Sequence, residues 1–198
     1  MKTSIDKGGI KLGMWLFLYT EIMLFGGLFV LYASYYSKYT EDFISGGKQL
    51  DTVLGTLNTI ILLTSSFAVA ASLTAVRRGS TKTAYAAVAA TIGCAILFLI
   101  NKYFEWGHKF ELGVYPSSDK LREGPIGENM FFGLYYVITG LHGLHVVIGM
   151  SLLIATLGFM AKKKITADRF ALLENSALYW HLVDLIWIFI FPLFYLIV

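Results

Sequence analysis

The sequence predicts an all-α membrane protein built as a bundle of five transmembrane helices, and three observations predict it. Of its 198 residues 57% are hydrophobic and 15% charged, with a mean hydropathy of +0.66; soluble domains carry about 25% charged residues. The apolar residues gather in five runs, about Leu12–Tyr36, Val53–Val76, Thr83–Trp106, Asn129–Met160 and Ala171–Val198, and a helix needs about 20 such residues to cross a bilayer. Lysine and arginine concentrate in alternate connections between these runs. A net charge of +3 distributed in this way follows membrane sidedness and gives no footprint for nucleic acid.

Taken in order, the first run begins after Lys2, Lys7 and Lys11 and places Thr20-Glu21 near its middle. It is too long for a signal peptide and no cleavage-like small-residue site follows it, so it is read as a retained span. Its Gly26-Gly27 pair would let a neighbouring backbone approach closely. The second run holds Asn58, Thr59, Thr64, Ser65, Ser66 and Ser72, side chains that bond across helices or back to their own carbonyls. The third is rich in small residues, with Ala84, Ala86, Ala87, Ala89, Ala90, Gly93 and Ala95; Cys94, the single cysteine, reads there as a packing residue. The fourth contains Gly140-Leu141-His142-Gly143-Leu144-His145, and the fifth Tyr179-Trp180-His181-Leu182-Val183-Asp184-Leu185-Ile186-Trp187. No internal repeat or linker divides the chain, so residues 1–198 read as one domain.

Arg77, Arg78 and Lys82 separate spans two and three, and Lys162, Lys163, Lys164 and Arg169 separate spans four and five. The other two connections balance their charges; the longer of them, Gly107–Gly127, reads as a surface loop with Pro116 and Pro125. The positive-inside rule then predicts a cytoplasmic N-terminus and an external C-terminus.

An ionisable side chain in hydrocarbon costs roughly 2.5–3.5 kcal/mol on insertion scales, so each one asks for a reason. At about 1.5 Å of rise per residue, Glu21, His142, His145 and Asp184 fall near mid-membrane, with His181 a little toward the cytoplasmic side. Residues three apart share a helix face, which groups His142 with His145 and His181 with Asp184. Three readings stay open for this buried polar cluster. It can be structural, with histidines bonding between helices and Asp184 orienting His181. It can place Glu21 against a lipid headgroup, water or a proton route. It can be a metal or haem site, since Glu105-Trp106-Gly107-His108 has the Glu-x-x-His form of di-iron bundles; that group lies at the external end of its span, and the second motif of such a cage is absent. Trp15, Tyr35, Tyr36, Trp106, Tyr179 and Tyr195 lie toward span ends, where interfacial anchoring accounts for most of them. Trp180 and Trp187 share a face suited to packing on a neighbouring helix or subunit.

Together these motifs resemble subunit III of the haem-copper terminal oxidases, in its short five-helix form. The match rests on Leu16-Phe17-Leu18-Tyr19-Thr20-Glu21-Ile22-Met23-Leu24-Phe25, Leu57-Asn58-Thr59, Tyr103-Phe104-Glu105-Trp106, the segment Thr139–Gly149 and the segment Tyr179–Trp187. The resemblance implies an accessory subunit of the bacterial cytoplasmic (inner) membrane. Such subunits have no redox centre, metal or cofactor of their own. They lie beside catalytic subunit I, which holds the haems and copper, and beside other oxidase subunits, with phospholipids in a cleft. By the same analogy Glu21 is the family's buried glutamate, and His142, His145, His181 and Asp184 match its other buried polar positions. Seven-helix members have two further N-terminal helices; in five-helix forms the resemblance implies a cleft that is either completed by a partner or missing. The ending Phe191-Pro192-Leu193-Phe194-Tyr195-Leu196 is similar to that of five-helix relatives encoded with nitric oxide reductases, which makes that association the alternative. A stand-alone metal or haem enzyme and a proton or small-solute carrier are the remaining classes; Pro192 near a helix end gives the carrier little support.

Overall fold

Two glycines in the left-handed conformation, Gly79 at φ +76° and Gly113 at φ +69°, mark where two of the helices stop. The computed structural model describes residues 7–116, 118–166 and 169–196; Lys2 and the last two residues of the fifth run lie outside them. Seven α-helices follow one another: α1 (Lys7–Lys38), α2 (Thr40–Lys48), α3 (Thr52–Arg77), α4 (Thr81–Glu111), α5 (Asp119–Glu123), α6 (Ile126–Ala161) and α7 (Ala171–Phe191), with a π-helical turn at Pro192–Leu196. Five stretches are long and apolar enough to span a membrane: Lys11–Lys38, Thr52–Arg77, Thr81–Glu111, Ile126–Ala161 and Ala171–Leu196. They match the five runs of the sequence.

Two connections differ from the loops the sequence predicts. Nothing after Trp106 breaks α4 until Gly113, whose φ of +69° ends the helix, so the stretch from Gly107 to Glu111 is helical. The short α2 and α5 occupy what was read as loop, and Pro125 stands at the N-cap of α6. Asp51 caps α3 by accepting from the amides of Val53 and Leu54 at 2.9 and 3.0 Å, which supplies two of the partnerless N–H groups of a helix start.

The α7 helix is the most enclosed of the five. Both tryptophans of its motif are buried and turn toward α3: Trp180 Nε1 donates to Ser65 Oγ (2.9 Å) and Trp187 Nε1 to Thr59 Oγ1 (3.0 Å). Asn101 of α4 donates to Asn58 of α3 at 2.9 Å, and Thr156 of α6 meets Ser176 of α7 at 3.0 Å. The hydroxyls of the second run are thus helix glue, while Thr64 and Ser72 return to their own helix's carbonyls. In lipid, where burial of apolar surface gives no drive between helices, such bonds and close packing hold a bundle together.

Small residues act at other places than expected. Nothing comes within 4 Å of a Cβ built on Gly26, Gly27 or Gly93, and of the alanines of α4 only Ala84 and Ala95 are buried. Close approaches fall instead at Gly149, where a Cβ would meet Trp180 at 2.9 Å, at Gly55, where it would meet the ring of Tyr195 at 2.7 Å, and at Gly46 and Gly127, where it would meet Phe131 and Asp42. Tyr195 and Tyr179, expected as interfacial anchors, are 0% and 1% exposed. The π turn after Pro192 swings Tyr195 inward, and Tyr32 Oη of α1 donates to the Leu193 carbonyl at 2.5 Å.

Arg77 lies 3.9 Å from Glu174 and over the ring of Phe170, which brings the α3–α4 turn and the α6–α7 connection to one end of the bundle. At the other end Gln49 bonds Glu128, Lys109 donates to the Gln49 carbonyl, and the Gly127 amide donates to Asp42 at 3.1 Å.

Candidate functional site

The five sequence-predicted residues do not form one cluster; the helices distribute them over three places. Glu21, half-buried on α1, reaches His145 of α6, with Oε2 2.8 Å from Nε2. His145 Nδ1 lies 2.7 Å from the Leu141 carbonyl. A carbonyl only accepts, so the proton is assigned to Nδ1. One further proton is then shared between Nε2 and the carboxyl. Whether that proton sits on nitrogen or oxygen, the pair as a unit is neutral, which is the form that hydrocarbon tolerates. Phe25 packs its ring against the edge of His145 at 5.3 Å between centroids, and the Tyr179 ring lies 6.5 Å away on the other side.

His142 goes elsewhere. Its ring is fully buried between Phe98 of α4 (5.6 Å) and Trp187 of α7 (5.1 Å), and neither nitrogen has a hydrogen-bond partner. The shared patch predicted for His142 and His145 is therefore not formed: one turns inward to α4 and α7, the other outward to α1. The expected orientation of His181 by Asp184 is not formed either. His181 Nδ1 bonds Ser66 Oγ of α3 at 2.7 Å, and Asp184, 3% exposed, has no partner for either oxygen.

Sequence reasoning missed a fourth place. Lys102 and Glu105 of α4 form an ion pair at 3.0 Å with side chains 9% and 2% exposed. Lys102 Nζ also donates to Tyr135 Oη of α6 (3.1 Å) and to Tyr195 Oη of the π turn (2.9 Å). Both tyrosine hydroxyls donate in turn to Glu105 Oε1. All three ammonium donors and both carboxylate oxygens are satisfied, as a buried pair requires. In the sequence Glu105 stands in a Glu-x-x-His pattern and in the Tyr103–Trp106 segment; the structure gives it to Lys102 and two tyrosines while His108 is exposed. The signal available was the i, i+3 spacing of opposite charges next to an apolar run. Among the described residues no three His, Cys, Asp or Glu side chains come together as a metal ion would require.

The family model for cytochrome c oxidase subunit III matches residues 1–197. This chain belongs to the cytochrome c oxidase subunit III family. It is 32% identical to cytochrome c oxidase subunit 3 of Synechocystis over 191 residues, 93% of this chain and 74% of that protein. Against cytochrome c oxidase subunit 3 of Sus scrofa the identity is 30% over 206 residues, 98% of this chain and 71% of the relative. It is also 31% identical over 202 residues to an Aeropyrum pernix protein named heme-copper oxidase subunit I+III. That match takes in 96% of this chain and spans 23% of the longer protein. The matched residues take in all five apolar helices.

Proposed function

We propose that the chain is the non-redox accessory subunit III of a respiratory haem-copper oxidase, a single five-helix unit in the bacterial cytoplasmic membrane. It packs beside the catalytic subunit that holds the haems and copper, retains phospholipid against its surface, and sustains proton-coupled oxygen reduction. Family membership along residues 1–197 is the observation that carries this reading. A relative whose name joins subunits I and III supports the choice of partner.

What this chain's own residues contribute is cohesion and a neutral, proton-sharing interior. Glu21 and His145 join α1 to α6 through one shared proton on a half-buried surface. His142 and Asp184 are buried, and His181 is half-buried against Ser66 of α3. The N-terminus is cytoplasmic and the C-terminus external, since the Arg77–Lys82 and Lys162–Arg169 connections share one end of the bundle, and that end carries the excess of positive charge.

Purification through a tag on this chain in mild detergent, with identification of the accompanying subunits, tests the reading. A haem- and copper-containing oxidase subunit is the expected companion. A nitric oxide reductase in its place would establish the alternative association, and a haem spectrum from the isolated chain would overturn the accessory role.

A further inference from the structure

Five oxidisable rings lie end to end from the surface of α4 into the bundle. The ring centroids of Trp106 (α4) and Tyr136 (α6) are 5.2 Å apart, those of Tyr136 and Tyr135 5.3 Å. Tyr135 and Tyr195 of the π turn are separated by 6.4 Å, as are Tyr195 and Trp187 of α7. These are the spacings of rings in contact. Trp106 is half-buried and lines a groove between α4 and α6, together with the exposed Tyr103 and Leu144; Tyr135, Tyr195 and Trp187 are buried. The rings differ in what stands next to their protons. Trp106 Nε1 has no hydrogen-bond partner, Tyr136 Oη donates to the Val114 carbonyl at 2.9 Å, and Trp187 Nε1 donates to the Thr59 hydroxyl. None of these offers a base. Of the five, only Tyr135 and Tyr195 donate to a carboxylate, Glu105 Oε1, whose charge Lys102 Nζ balances at 3.0 Å. Loss of an electron makes a phenol a strong acid, so these two rings alone can shed a proton as the electron leaves.

We propose that these rings form a path that draws an oxidising equivalent from the lipid-facing groove into the bundle and holds it on Tyr135 or Tyr195. The oxidant is an oxygen-centred lipid radical, an alkoxyl, lying against Trp106. It takes one electron from the indole and, with one proton from water at the membrane surface, becomes an alcohol. Tyr136 returns an electron to Trp106, and Tyr135 returns one to Tyr136. As Tyr135 loses its electron its Oη–H bond breaks and the proton passes to Glu105 Oε1. The net change is one electron moved from Tyr135 to the lipid radical, one proton moved from Tyr135 to Glu105 and one proton taken up by the alcohol; Trp106 and Tyr136 end unchanged. Tyr195 is bonded to the same carboxylate oxygen, and Lys102 Nζ donates to both phenol oxygens, at 3.1 and 2.9 Å, so the radical is held where an ammonium group faces it. The effect is protective: a radical free to attack lipid becomes an enclosed tyrosyl.

The complex that co-purifies with this chain, placed in nanodiscs with a photolysable, lipid-soluble alkoxyl source, tests the path. Samples frozen after a flash should show a neutral tyrosyl radical by electron paramagnetic resonance, weakened when Tyr135→Phe and Tyr195→Phe are combined. Peptide mass spectrometry supplies the position: oxidation of Trp106 should rise severalfold in that double variant and in Tyr136→Phe, which keep the rings but interrupt the transfer. Tyr136→Phe leaves the Lys102–Glu105 bonds intact and decides the matter if the double variant does not assemble. Tyr103, exposed on the same helix and in ring contact with Phe104, lies off the path and should be oxidised equally in every sample. A tyrosyl signal undiminished in the double variant, Trp106 oxidation unchanged in Tyr136→Phe, or an equal rise at Tyr103 would each overturn the proposal.

Discussion

Lys102 and Glu105 illustrate how one residue's value depends on its partner's presence. Glu105→Ala leaves a buried ammonium with only two tyrosine hydroxyls, and breaking a buried pair in this way costs about 3–5 kcal/mol. The double change Lys102→Met with Glu105→Leu should recover most of that loss, because an apolar pair of similar volume is often neutral or better. Denaturant unfolding in micelles compares the two; equal losses would mean that the tyrosines, not the ion pair, hold this place. The Glu21–His145 pair predicts a different asymmetry. Glu21→Gln keeps an acceptor for His145 and should cost at most about 1 kcal/mol, whereas His145→Leu strands the carboxyl and should cost about 1–3 kcal/mol or more. The sequence made Glu21, His142, His145, His181 and Asp184 legible as buried groups, because depth follows from helical rise. It did not reveal their partners. Spacing puts His142 and His145 on one face, but the roughly 60° offset between residues three apart on an ideal helix is enough to send one to Trp187 and the other to Glu21. The Lys102–Glu105 pair escaped because charges near a span end look like the start of a loop.

At the scale of elements, α6 fits α7 and α3 fits the π turn through contacts between bare backbone and large rings. Gly149→Ala would press a methyl on Trp180, and Gly55→Ala would press one on Tyr195. Overpacking of this kind costs about 1–3 kcal/mol. Thermal unfolding should show a loss in both variants, and replacing the facing ring as well (Trp180→Phe with Gly149→Ala) should return part of it. By contrast Gly26→Ala and Gly27→Ala should leave the melting temperature of the isolated chain unchanged, since nothing approaches them. The five spans and the hydroxyl-rich face of α3 could be read from apolar run length and residue type. The extension of α4 to Glu111 and the inward swing of Tyr195 could not. The first depends on where a Gly with positive φ, rather than the first charge, ends the helix; the second depends on a π turn that no apolar period announces.

For the whole molecule, sidedness and attachment are the measurable properties. Single cysteines introduced as Lys164→Cys and Lys120→Cys in a Cys94→Ala background should be labelled from opposite sides of the membrane, Lys120→Cys from outside. External labelling at position 164 would invert the orientation. Removing the subunit should leave the haem spectrum and the first turnovers of the partner in place, with activity then declining during sustained turnover. The activity time course with and without this chain checks it, and an undiminished course would restrict the role to assembly.

The bond between Glu21 and His145 joins residues 124 positions apart, and the chain is made from one end. At ~5–20 residues per second of synthesis, roughly 6–25 s separate the two residues' emergence from the ribosome. Through that interval α1, the least enclosed of the five, must keep Glu21 in the membrane without the imidazole that later shares its proton. The apolar residues around Glu21 have to carry insertion by themselves. Docking onto α6 therefore comes as a second event, after both helices already span, and a chain stalled between the two would expose a lone carboxyl to lipid and to membrane quality-control proteases.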